Sequence, residues 1–127
     1  MSLLTPAGAT LVRLMGEIPR GPRREGVFAL WLTLRVAEDV LLAPPPPERA
    51  TRRRVAALEQ RLSSLSVPAP LRRALTAALS ALGDPRREQT TLVLQQLVAP
   101  AREALGAEAG DAIARAARAA TQRPRDE

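Results

Sequence analysis

The stretch Val27–Leu42, VFALWLTLRVAEDVLL, decides the fold. Phe28, Leu30, Leu32, Leu34 and Val36 alternate with Ala29, Trp31, Thr33 and Arg35, a period of two that suits a half-buried strand. Projected instead at 100° per residue, Ala29, Leu30, Leu34, Val36, Ala37, Val40 and Leu41 gather on one side, a wide apolar stripe of the kind a core helix carries. The neighbours arbitrate. Every other segment combines Ala and Leu at helical spacing with proline at its start, so a strand here has no partner to pair with. The stretch is predicted to be a helix in an all-α, compact single-domain bundle of five to six helices.

Working outward, proline and glycine punctuate the chain. Thr5-Pro6 reads as an N-cap followed by a first helical residue; Leu11, Leu14, Met15 and Ile18 then fall at i, i+3, i+4 and i+7 before Pro19. Pro19 to Gly26 reads as a basic turn. The prolines Pro44–Pro47 form a stiff extended connector, with Pro47 opening a third helix that runs to about Leu65. A fourth, from about Pro68 to Leu82, shows Leu71, Leu75, Ala78, Leu79 and Leu82 on one face and stops at Gly83. Asp84-Pro85 opens a fifth running to about Val98, where Pro100 is expected to end or kink it. An Ala-rich helix spans about Ala107 to Ala120. The helical domain is thus expected over residues 1–120, with a polar tail over 121–127.

Composition removes most chemistry. All nineteen basic residues are arginine, and the chain contains no His, Cys, Lys, Tyr or Asn. Imidazole bases, thiolate nucleophiles, Schiff-base lysines and Cys/His metal cages are therefore excluded. Glu38 and Asp39 lie about 100° apart on a helix, no second acidic pair completes a metal set, and no phosphate-binding glycine loop is present. The chain reads as a non-enzyme with no cofactor and no metal. Its longest strongly apolar run, Gly26 to Leu34, is too short to cross a bilayer, and the N-terminal segment makes a poor signal peptide, so a soluble cytoplasmic protein is expected.

The sequence carries a net charge of +6 and a pI near 11.6. Two origins fit. Ala, Leu, Arg, Pro and Gly share GC-rich codons, as a bacterial genome of that bias supplies; arginine also forks bidentately onto phosphate or carboxylate. The positive excess lies wholly in residues 1–83, the remaining 44 being neutral. Within it, Arg20, Arg23 and Arg24 form one cluster, and Arg49, Arg52, Arg53 and Arg54 form another that is the candidate nucleic-acid contact. No aromatic residue interleaves with these arginines for base stacking.

The other side of the 27–42 helix carries the candidate partner-binding residues Phe28, Trp31, Leu32, Arg35 and Asp39. Both aromatic residues of the chain lie there. Arg35 is placed to stack on Trp31, four residues before it, and to pair with Asp39, four after. Left open, the face amounts to a large apolar patch, and aromatic plus Arg ringed by Leu is the make-up of an interaction hot spot. In the third helix, Val55, Leu58, Leu62 and Leu65 occupy a and d positions with Arg54 and Arg61 at g and Glu59 at e, a seam that serves either intramolecular packing or a short parallel pair. The expected function is protein–protein interaction, self-associating as a homo-oligomer or adaptor-like; the alternative is an Arg-rich helical nucleic-acid-associated protein.

Overall fold

Thr5 caps its own helix. Its backbone is extended and its side-chain oxygen accepts from the N–H of Gly8 at 3.1 Å, while Pro6 takes the position where a missing N–H costs nothing. The computed structural model describes residues 5–42, 47–83 and 86–122. Among these residues it contains six α-helices and no strand: α1 (Pro6–Glu17), α2 (Pro22–Leu42), α3 (Glu48–Ser63), α4 (Ala69–Leu82), α5 (Arg87–Leu105) and α6 (Ala107–Gln122). The segment Phe28–Val36 is helical throughout, and all seven residues of its expected core stripe are buried.

Three boundaries differ from expectation. Most of the supposed basic turn is helix, because Pro22 begins α2 five residues before Val27 and Glu25 sits favourably in its first turn. Gly26, which looks like a breaker, is instead a place of close approach. A Cβ there would lie 2.9 Å from Leu105 Cδ2 and 3.2 Å from Leu71 Cδ2. Pro47 stands one position outside α3 rather than opening it. Finally, α5 continues through Pro100 to Leu105. The carbonyl that loses its donor belongs to Gln96, an exposed position open to solvent. The Asp84-Pro85 cap and the polar tail lie outside the described residues.

The rest follows the sequence pattern. Leu71, Leu75, Ala78, Leu79 and Leu82 of α4 are all buried. A single hydrophobic core draws on all six helices, and α2 packs against each of the other five. The seam of α3 faces inward, with Val55 and Leu62 buried and Leu58 and Leu65 packed against the core. Buried hydroxyls close on their own helices: Thr33 donates to Ala29 O at 2.9 Å and Thr90 to Arg86 O at 2.8 Å. Arginines finish two helices that lack a left-handed cap partner for every carbonyl. Arg72 donates to Leu62 O at 2.8 Å and also to Leu65 O, and Arg23 donates to Leu105 O at 3.0 Å.

Candidate partner-binding groove between α2 and α3

Helical periodicity lines up Phe28, Trp31 with Leu32, Arg35 and Asp39 along one edge of α2. On α3, Arg54, Ala57, Leu58 and Arg61 repeat at i, i+3, i+4 and i+7 and so form the facing edge. Between them runs an open groove of about 330 Å³. Leu32, Val36, Ala57 and Leu58 make its apolar floor; Arg35, Arg54 and Arg61 line its rim.

The three arginines are held in different ways. Arg35 Cζ lies 5.3 Å from the Trp31 ring centroid, as the spacing on α2 predicted. Arg61 reaches across from α3 to sit over Phe28, 5.2 Å from its centroid. The two rings are themselves stacked, with centroids 6.2 Å apart and planes at 25°. Each cation–ring contact contributes about 0.5–1 kcal/mol at an exposed site, enough to set an orientation. Asp39 pairs with Arg54 of α3, where the sequence suggested Arg35. A contact between helices has displaced the local i,i+4 pair, which at a helix surface is worth only about 0.2–0.5 kcal/mol.

The face is less apolar than its sequence suggested. Phe28, Trp31 and Leu32 are half-buried, because α3 and the two stacked guanidinium groups cover them. Among the described residues the large apolar side chains left exposed are Val12 and Leu92, both elsewhere. Trp31 Nε1 is buried with no hydrogen-bond partner, which costs about 1–3 kcal/mol.

The proposed nucleic-acid cluster is divided. Arg54 turns into the groove; Arg52 pairs with Glu48 at 3.1 Å; Arg49 and Arg53 stand exposed on the outer side of α3. Arg49, Arg52 and Arg53, at i, i+3 and i+4, remain exposed on one face of α3, and Arg54 alone leaves it. Arg61, Ala57 and Leu58 are the groove residues that the reading of α2 alone missed. Their signal was present in the seam of α3, where Arg54 and Arg61 hold equivalent flanking positions one heptad apart.

A smaller cavity of about 150 Å³ opens between the start of α1, the end of α2 and α6, lined by Thr5, Glu38, Leu41, Arg115 and alanines of α6. Glu38 accepts a hydrogen bond from the Thr5 hydroxyl at 2.6 Å. Burial pushes its carboxyl above the usual range; the Thr5 bond opposes this, Asp39 adds to it, and Arg35 opposes it. Among the described residues no cluster of three or more His, Cys, Asp or Glu is placed to hold a metal, and no helix is long and apolar enough to cross a membrane. No protein-family model, curated protein or solved structure matches this chain.

Proposed function

We propose that this chain is a non-catalytic protein-association module that meets its partner across the α2–α3 groove. The observation that carries this reading is convergence: three arginines, drawn from two helices, line one apolar floor, and two of them are braced on the chain's two aromatic rings beside it. Arginine lining a concave apolar patch is among the residue types that dominate interface energetics. The missing catalytic side chains support a binding role over a chemical one. A nucleic-acid role gains less support, since guanidinium groups already occupy the exposed ring faces on which bases would stack.

Site-specific photo-crosslinking in the cells that make the protein tests the reading. A crosslinker at Leu32 or Ala57 should give discrete higher-mass species that one at Val12 on α1 does not. A species of twice the mass identifies self-association, another discrete mass an adaptor role. Nuclease-sensitive products would favour the nucleic-acid alternative, and identical patterns from groove and control positions would remove the groove from consideration.

A further inference from the structure

We propose that the groove selects an acidic, leucine-rich segment of a different protein, seating its apolar side chains on Leu32, Val36, Ala57 and Leu58 and its carboxylates on Arg35 and Arg61. This rests on the reading of the groove as an association surface and names what it associates with. The argument is one of charge and of geometry. Asp39 neutralises Arg54, whereas among the described residues neither Arg35 nor Arg61 pairs with a carboxylate. The rim therefore carries two guanidinium groups without an ion-pair partner over an apolar floor, Arg35 acting only at longer range on Glu38, which opens to the α1–α6 side. A guanidinium lying over a ring is held on its face and keeps its in-plane N–H donors directed outward, ready for the two oxygens of a carboxylate.

The positive edge continues beyond the groove. On the other side of Phe28 a second open depression of about 330 Å³ is lined by Arg20, Arg24 and Met15, with Glu25 beside them. Glu25 accepts from the backbone N–H of Ser66 at 2.5 Å, so part of its charge is already engaged. From Arg24 to Arg35 the edge of α2 extends roughly 16 Å, the length of three turns of a helical ligand.

Charge also argues against the obvious alternative occupant. A two-fold dimer centred on this groove would bring its own guanidinium-lined rim against a second copy of that rim, and like charges juxtaposed at an interface are strongly unfavourable. A nucleic acid satisfies the arginines but not the floor, which offers no donor or acceptor to a base edge.

The test measures fluorescence anisotropy with the full chain and a labelled synthetic helical peptide of about four turns, built from Leu and Glu at helical spacing. A matched peptide carries Gln for every Glu, and a labelled random duplex DNA serves as the competing class. The acidic peptide should bind at least about tenfold more tightly than the Gln peptide, the margin expected of charge-assisted hydrogen bonds. Arg35→Gln with Arg61→Gln should lose about tenfold, while Arg49→Gln with Arg53→Gln, which removes equal charge from the outer side of α3, should lose little. Because the first pair also uncovers two rings, Ala57→Glu provides a second variant. It places a carboxylate at an exposed helical position four residues before Arg61 and should compete with the peptide while circular dichroism stays unchanged. Equal losses from both double variants would reduce the effect to bulk charge and overturn the inference. Equal affinity for the Glu and Gln peptides would overturn it while leaving an association surface in place. Tighter binding of the duplex, lost with the same groove variants, would transfer the site to nucleic acid. No binding of any probe, alongside positive crosslinking from Leu32, would reject the acidic ligand without rejecting the groove.

Discussion

Glu38 shows how one side chain links burial to pH. Its carboxyl is held above the ordinary range chiefly by burial, with Asp39 adding to this and with the Thr5 hydroxyl and Arg35 acting the other way; Arg115 of α6 lines the same cavity. The folded state thus retains the proton to higher pH than the unfolded chain does. For an acid shifted upward, folding stability falls as pH rises from the unfolded pKa through the folded one, and the ionised carboxyl remains a burden above both. Glu38→Gln keeps an acceptor for Thr5 and removes the charge. Urea unfolding should therefore show the variant more stable than the parent at neutral pH, with the difference closing as pH falls below the usual carboxylate range. A constant difference at all pH values would mean that the amide acts through packing instead. Arg72 is a second residue whose role is set by surroundings. Its guanidinium serves Leu62 O and Leu65 O at the end of α3, so Arg72→Ala should cost about 1.5–3 kcal/mol in the same urea experiment, the range for hydrogen bonds to a charged group. A loss under about 0.5 kcal/mol, typical of a plain surface substitution, would show that water replaces the guanidinium without penalty.

At the scale of elements, glycines separate what a sequence can say from what only packing reveals. Gly16 in α1 has open space around it, and Gly110 in α6 does not: a Cβ there would lie 2.7 Å from Arg102 Cβ and 3.1 Å from Arg102 Cα. These contacts are what let α5 and α6 lie close after the turn at Gly106, whose φ of +105° favours glycine. Alanine gains up to about 1 kcal/mol of helix propensity at either position, but overpacking a close helix contact costs about 1–3 kcal/mol. Thermal melts should accordingly move in opposite directions, Gly16→Ala upward and Gly110→Ala downward. The same contrast explains what was legible beforehand. The core stripe of α2 and the apolar face of α4 follow from 3.6-residue periodicity, and the starts of α1, α3 and α4 to within a residue from Pro6, Pro47 and Pro68. The early start of α2 was hidden because Gly26 looks like a breaker while its close neighbours Leu71 and Leu105 are remote in sequence, and the passage of α5 through Pro100 because periodicity does not tell that the Gln96 carbonyl stands exposed. At the groove, periodicity placed Phe28, Trp31, Leu32 and Arg35 on one edge and anticipated the Arg35–Trp31 stack. It did not supply Arg61 over Phe28 or Arg54 on Asp39, since both depend on how α3 lies against α2.

For the whole molecule, the question is what the +6 charge does. Distribution matters more than the total. Arg13 pairs with Glu17 and Glu108, Arg52 with Glu48, Arg54 with Asp39 and Arg102 with Asp111, while Arg23 and Arg72 serve backbone carbonyls. Arg35 and Arg61 lie on rings. Much of the arginine is thus spent joining helices, and the α3 cluster that most resembled a polyanion site retains Arg49 and Arg53 without a carboxylate partner among the described residues. Neutralising six or more phosphates gives a slope of about −5 or steeper when log affinity is plotted against log salt, and a site of that size needs its arginines on one surface. This chain should instead bind random duplex DNA weakly, with a shallower slope and negligible affinity at physiological salt. Anisotropy titrations of a labelled duplex over a range of salt concentrations measure it directly. A steep slope that persists in the wild type and collapses when Arg49, Arg52, Arg53 and Arg54 are replaced together would mean that Arg54 leaves Asp39 to join the exposed face of Arg49, Arg52 and Arg53 on DNA. The basic character of the chain would then belong to nucleic-acid recognition, with the α2–α3 groove a consequence of packing alone.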